Sequence, residues 1–117
     1  MPNVTLYGIP NCDTVKKARR WLDQRHVAYQ FHDFRNNGLT PALLKTWLSQ
    51  LAWEALLNKR GRTWRELPDT EKQVTNATQA ISVCCKYPTL IKRPVLVSDK
   101  HIVIGFDPDN YTSVFPE

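Results

Sequence analysis

The chain of 117 residues has few of the features that build disulfide-linked, metal-bound or membrane proteins. Its three cysteines show no framework spacing, and their odd number argues against structural disulfides. The three histidines, His26, His32 and His101, lack ligand spacing with each other or with cysteine, so we expect no zinc site. No apolar run reaches membrane-spanning length, and no signal peptide opens the chain. We therefore expect a cytoplasmic protein in a reducing environment, without membrane contact.

Length and composition favour one packed domain. Apolar residues make up 42% of the chain and charged residues 23%, both close to the average of globular proteins. The net charge is +5, and the basic residues gather in three places, Lys16–Arg25, Lys59–Arg65 and Lys92–Arg93. No nucleic-acid-binding motif accompanies them, so we expect solvated faces with selected arginines as anion ligands and no direct nucleic-acid binding. Without apolar heptads, the chain is expected to be a monomer.

Cys12 carries the strongest functional signal. A β-branched run, Val4–Tyr7, and a turn rich in Gly, Pro and Asn precede it, and a basic amphipathic stretch follows. This pattern predicts strand, loop and helix, with the sulfur at the first helical turn. The unpaired N–H groups and positive dipole end there favour a nucleophilic thiolate. The alternative is a small buried residue beside a strand.

The rest of the chain predicts an α/β architecture. Expected elements are a strand at 4–7, a helix at 13–25, a strand at 28–34, a helical stretch at 38–87, strands at 95–98 and 101–104, and a short final helix from Pro108. The order β-α-β, helices, β-β-α predicts a thioredoxin-like fold with a four-stranded mixed sheet and a helical insertion. We expect a single domain, with its core at 1–37 and 88–117 and its insert at 38–87.

Local capping signals support several of these helices. Thr40 followed by Pro41, and Asp107 followed by Pro108, each have the pattern of an N-cap and a first helical residue. Gly61 is expected as a loop or cap residue near the end of a short helix at 53–57. After Pro68 we expect the helical pattern to resume and to continue toward Tyr87, with a break.

Three parts of the chain resemble one protein family. They are Leu6–Ala18, Leu56–Gly61, and Ile91–Pro94 followed by Val103–Phe106. Together these segments resemble the arsenate reductase (ArsC)/Spx family, and most closely its YffB-type branch. The resemblance covers essentially the whole chain, and it implies a thioredoxin-like fold with a helical insertion, in agreement with the pattern above.

The resemblance also implies roles for individual residues. Cys12 matches the family's nucleophile, and Arg60 and Arg93 match two arginines that bind an anion and favour the thiolate. Pro94 matches the cis-proline of thioredoxin-like folds, which shapes the substrate groove. The structural alternatives are a helix C-terminal cap for Arg60 and a surface charge for Arg93.

Two further residues of the cysteine loop are candidate ligands. Asn11 is placed to donate a hydrogen bond to a bound anion, and Thr14 to orient a ligand near the sulfur. The preferred interpretation of Thr14, together with Asp13, is that both cap the first helix.

Three departures from the family pattern narrow the function. Val15 stands where Spx proteins carry a second cysteine, so the site is monothiol. Phe106 follows Gly105 where arsenate reductases carry a third arginine, and Gly8 stands where some of them carry a histidine. These differences favour a thiol reductase over an arsenate reductase.

We therefore expect a glutathione-dependent monothiol oxidoreductase, with glutathione as co-substrate and no bound cofactor. Its substrate would be a thiol or an oxyanion. The alternative is a Spx-like regulator that binds RNA polymerase or another protein without turnover, and an arsenate reductase is a third reading. We expect one of the adjacent residues Cys84 and Cys85 to be a core residue and the other to be partly buried. The alternative is that one of them supplies a resolving thiol.

Overall fold

The computed structural model describes residues 3–99 and 101–115 and divides the chain into two compact units. One unit comprises the residues up to Asn37 together with those from Arg93 onward, and the other is Gly38–Lys92. No helix in the described ranges is long and apolar enough to cross a membrane.

The first unit is built on a four-stranded sheet. Its elements are β1 (Val4–Gly8), α1 (Asp13–Gln24), β2 (Gln30–Asp33), α2 (Phe34–Asn37), β3 (Val95–Ser98), β4 (His101–Ile104) and α7 (Pro108–Val114). The strand order is β2-β1-β3-β4. β1 runs parallel to β2, while β3 is antiparallel to both β1 and β4. The mixed sheet and the hairpin predicted from the sequence are thus confirmed.

One hydrophobic cluster links the sheet to α1 and α7. Its buried members are Val4, Leu6, Ala18, Leu22, Leu96 and Tyr111. Val4, Leu6 and Leu96 come from neighbouring strands, and the side chain of Trp21 meets the Tyr111 ring edge-on at 5.4 Å. Both helices therefore pack on the same core, which fixes α1 and the loop before it.

Helix α1 is followed by a residue in the left-handed conformation. The amide of Val27 donates to the Leu22 carbonyl at 3.0 Å, and the amide of His26 donates to the Asp23 carbonyl at 3.1 Å. These two bonds form a Schellman motif, in which the residue after the C-cap adopts a positive φ. His26 occupies that position with φ 57°, where glycine is the usual residue.

The second unit is helical. It contains α3 (Pro41–Leu48), α4 (Trp53–Leu56), α5 (Arg62–Glu66), α6 (Ala77–Lys86) and a 3-10 turn at Pro88–Leu90. Thr40 caps α3 through its hydroxyl, which accepts from the Leu43 amide at 3.2 Å, as the sequence predicted. Leu44 and Trp47 of α3 are fully buried. A bridge between Leu57 and Ile91 ties the end of α4 to the segment after α6.

Several predicted boundaries are wrong. The second strand spans Gln30–Asp33 and is shorter than the predicted 28–34. The apolar residue Phe34, which extended the predicted strand, is the first residue of α2, a helix that the sequence did not predict. The Asp33 carboxylate accepts from the Arg35 amide at 2.9 Å, and this local turn starts α2. Gly61 is the N-cap of α5 and does not end α4. After Pro68 the chain forms turns, and the helix begins only at Ala77, where the Asn76 side chain caps it.

Candidate functional site

Cys12 is the N-cap residue of α1. Its backbone is extended, with φ −138° and ψ 125°, and its carbonyl accepts from the Lys16 amide at 2.9 Å. The side chain is half-buried and makes no capping hydrogen bond. The sulfur thus lies where the sequence predicted, at the end of a helix whose first amides receive no side-chain acceptor from the N-cap residue.

The loop before Cys12 is held by a close contact between strand and helix. Gly8 is the last residue of β1, and a β-carbon placed on it would lie 2.8 Å from the Val15 Cγ2 atom. Val15 is fully buried, three residues after Cys12. Residue 15 therefore belongs to the core and carries no second thiol.

Pro94 lies at the same edge of the sheet as the end of β1. The register pairs Tyr7 with Val95, so Gly8 and Pro94 are the next residues of the two antiparallel strands. The Arg93–Pro94 peptide bond is cis, as the resemblance implied. Pro94 is buried, and its carbonyl accepts from the Gly105 amide at 2.8 Å. Arg93, half-buried, directly precedes this bond.

The two candidate ligand residues beside Cys12, Asn11 and Thr14, are exposed. Asn11 lies in the loop, and Thr14 lies in the first turn of α1. The expected capping role of Asp13 and Thr14 is wrong, because Cys12 itself holds the N-cap position. The negative charge of Asp13 instead complements the positive end of the helix dipole. Thr14 is available to a ligand.

Arg60 belongs to the second unit. Its side chain is exposed, and its amide donates to the Asn58 Oδ1 atom at 3.2 Å. α4 ends at Leu56, so Arg60 lies beyond the last turn of that helix and does not cap it. That Arg60 binds an anion and favours the Cys12 thiolate stays a prediction.

The other two cysteines have the character of core residues. Both lie on α6, Cys84 fully buried and Cys85 half-buried, which confirms the structural interpretation. Burial raises the pKa of Cys84 to about 12, with a smaller contribution from Cys85. Burial also raises the pKa of Cys85. Burial therefore disfavours the thiolate form of both cysteines.

Sequence reasoning missed an arginine of α1, the helix that Cys12 begins, that is held by aromatic side chains. The Arg19 Nε donates to the Tyr29 hydroxyl at 3.0 Å. The same guanidinium lies 4.3 Å from the centre of the Phe31 ring. The spacing of Cys12, Lys16 and Arg19 at i, i+4 and i+7 is the sequence signal that indicates a shared helix face.

The described residues contain no group of three or more His, Cys, Asp or Glu side chains that could hold a metal ion. On the unit that carries Cys12, the candidate groups are its thiol, the exposed side chains of Asn11 and Thr14, and the half-buried side chain of Arg93.

Comparison with known proteins gives consistent results. The model of the ArsC family matches residues 7–114. An uncharacterized protein of Haemophilus influenzae is 43% identical over 112 residues, covering 96% of this chain and 98% of its own. The global transcriptional regulator Spx of Streptococcus mutans is 29% identical over 115 residues, covering 97% and 83% of the two chains.

A solved structure supports the same assignment. The structure of a YffB protein superposes with a TM-score of 0.90 at 41% identity, covering 94% of this chain and 96% of that chain. Because the family model matches nearly the whole length and the YffB structure covers 94% of it, this chain belongs to the ArsC family of thioredoxin-fold proteins.

Proposed function

We propose that this protein is a monothiol oxidoreductase that reduces disulfides with glutathione and uses Cys12 as its nucleophile. The observation that carries the proposal is the position of Cys12 as a half-buried N-cap without a capping hydrogen bond, on the unit that holds the cis-proline. A thiolate at a helix N-terminus is the activated form of cysteine in enzymes of thiol exchange.

The proposed reaction has two exchange steps. In the first, the Cys12 thiolate attacks a substrate disulfide, a mixed disulfide forms on Cys12, and one substrate thiolate leaves and takes a proton from solvent. In the second, the thiolate of glutathione attacks the mixed disulfide and Cys12 leaves. When the substrate is a glutathionylated thiol, the products are the free thiol and glutathione disulfide. Two glutathione sulfurs are then joined and the substrate sulfur is reduced.

The remaining site residues have proposed supporting roles. Arg93 and Arg60 would bind the carboxylates of glutathione and favour the thiolate through their positive charge. Asn11 and Thr14 would donate hydrogen bonds to the bound anion, and Pro94 would line the groove beside the thiol.

The other cysteines of the chain are poorly suited to resolve the mixed disulfide, so the resolving thiol is proposed to come from glutathione. Val15 leaves no second thiol on the first turn of α1. Cys84 and Cys85 have raised pKa values because both are removed from water, so a smaller fraction of either is thiolate at neutral pH. We expect the protein to work as a monomer in the cytoplasm, where glutathione is the abundant thiol.

Phe106 supports a thiol reductase over an arsenate reductase. Its ring meets the ring of Tyr111 edge-on at 4.9 Å and packs on the cluster between sheet and helices. The position that the resemblance assigns to a third anion-binding arginine in arsenate reductases is therefore occupied by a partly buried aromatic residue packed against the core.

The test is the glutathione-dependent reduction of a glutathionylated peptide, and its rate is measured from the release of the free peptide thiol. We expect Cys84→Ser/Cys85→Ser to retain the rate of the natural sequence and Cys12→Ser to lose it entirely. Arg93→Gln and Arg60→Gln should each raise the glutathione concentration needed for half-maximal rate. Turnover that survives Cys12→Ser, or that requires Cys84 or Cys85, would contradict the proposal.

A second candidate is a Spx-like regulator that contacts RNA polymerase or another protein. It is favoured by the alignment with a transcriptional regulator over 97% of the chain. Deleting the protein in its own organism and complementing with Cys12→Ser separates the two functions. Complementation by Cys12→Ser would support binding without turnover, and failure by a stably folded variant would support the enzyme.

A further inference from the structure

A row of cations runs along α1 from Cys12. Residues spaced i, i+4 and i+7 share one face of a helix, so Lys16 and Arg19 lie on the face that begins at the thiol. The helical rise places Arg19 about 10 Å from Cys12 along the axis. Lys16 is exposed and Arg19 is half-buried. Asp23 follows one turn later, and within the described ranges it forms no ion pair with either cation.

Arg19 is held in one orientation by its aromatic neighbours. Its Nε is bonded to the Tyr29 hydroxyl at 3.0 Å, and its planar group lies against the Phe31 ring at 4.3 Å. The two Nη groups remain as donors at the outer edge of the guanidinium. A guanidinium fixed in this way loses little side-chain freedom when it binds a carboxylate, and its fork geometry suits both oxygens.

We propose that Lys16 and Arg19 form an anion subsite that selects disulfide substrates with a carboxylate about 10 Å from the reacting sulfur, a distance spanned by about three extended residues. The substrate class is an acidic peptide or protein segment in which Asp or Glu follows the cysteine by about three positions. The subsite specifies the substrate class of the proposed reductase, and this assignment rests on the proposed function. It lies wholly on the unit that carries Cys12.

The test measures charge recognition without requiring turnover. Two reagents, iodoacetyl-Ala-Ala-Asp-amide and iodoacetyl-Ala-Ala-Asn-amide, alkylate Cys12 in a Cys84→Ser/Cys85→Ser background. In each case a sulfur–carbon bond forms and iodide leaves. At low salt we expect the Asp reagent to react about two- to fivefold faster than the Asn reagent, the range for an exposed ion pair. The ratio should approach one at about 1 M NaCl, where charges are screened within a few ångströms.

Matched variants separate this subsite from net charge. Arg19→Gln should lower the Asp/Asn rate ratio toward one, and Arg19→Lys should give an intermediate ratio. Arg25→Gln is the control, because it removes the same charge from an arginine that also lies against an aromatic ring, Trp21 at 4.6 Å, but at the C-cap of α1, the opposite end from Cys12. Thermal unfolding of each variant verifies that it is folded.

The outcomes are distinct. A wild-type ratio near one, or an equal loss of the ratio in Arg19→Gln and Arg25→Gln, would overturn the subsite. A ratio that behaves as expected in a protein without glutathione-dependent turnover would leave the subsite in place and overturn the proposed enzyme function alone.

Discussion

The side chain of Val15 occupies the space that a β-carbon on Gly8 would need, since that atom would lie 2.8 Å from the Val15 Cγ2. Gly8 ends β1, and Val15 is buried in the first turn of α1. The contact brings the strand end against the helix start and so fixes the ends of the loop that carries Cys12. Only a residue without a side chain allows this approach.

Gly8→Ala should therefore destabilise the protein by about 1–3 kcal/mol, the usual cost of an overpacked core contact. The measurement is urea-induced unfolding followed by tryptophan fluorescence. Val15→Ala alone should also destabilise it, because it leaves a cavity. In the double variant, the smaller side chain makes room for the new methyl group, so the two costs should sum to more than the observed loss. Strict additivity would show that the contact is not tight.

Cys12→Ser should stabilise the protein while removing its chemistry. Cysteine is a poor N-cap, whereas a serine hydroxyl accepts from the amides of the first turn, and the gain is expected to be about 0.5–1 kcal/mol. The measurement is the thermal midpoint, compared with that of Cys12→Ala, which should gain nothing. A serine variant no more stable than the alanine variant would argue that the first turn is already satisfied by other groups.

His26→Gly should stabilise the protein by about 0.5–1 kcal/mol, because φ 57° costs a side chain more than it costs glycine. Arg25→Gly is the matched control, one residue earlier at φ −91°. There, glycine adds only unfolded-state entropy and should destabilise the chain. Chemical denaturation of both variants checks the difference, and effects of the same sign would contradict it.

Glu71→Gln should destabilise the protein in a pH-dependent manner. Hydrogen bonds from Lys86 and then Tyr87 lower the pKa of the Glu71 carboxyl, so the ionised form is favoured in the folded state. The stabilisation is present above the pKa of the unfolded chain and is lost as pH falls through the lower folded pKa. The difference in urea midpoint between Glu71→Gln and the natural sequence should therefore be present at pH 7 and should shrink as the pH falls through the lowered pKa of this carboxyl. A difference that persists in acid would point to packing in place of charge.

Local chemistry explains which elements could be predicted from the sequence. Thr40 and Asp107 each accept from an amide two or three residues ahead, and neighbouring residues suffice for such caps. The apolar spacing of Val15, Ala18 and Leu22 likewise depends only on the helical period. These features need no knowledge of distant parts of the chain.

Features that depend on non-local contacts were missed. Gly61 begins α5, whose Thr63 hydroxyl shares a hydrogen bond with Thr89 at 2.7 Å, 26 residues further on. The stacking of Arg19 on Phe31 joins a helix to the next strand. The cis form of the Arg93–Pro94 bond was not missed, because the family resemblance implied it, although local sequence alone favours the trans form.

The most direct test of the account is the reactivity of the three thiols in the folded and unfolded protein. Iodoacetamide at pH 7 is followed by peptide mass spectrometry, in native buffer and in urea. We expect Cys12 to react about tenfold faster when folded, since only a few per cent of an ordinary thiol is ionised at this pH. Cys84 and Cys85 should react more slowly when folded, because burial raises their pKa values. A Cys12 that reacts no faster in the folded protein than in urea would contradict its role as an activated nucleophile.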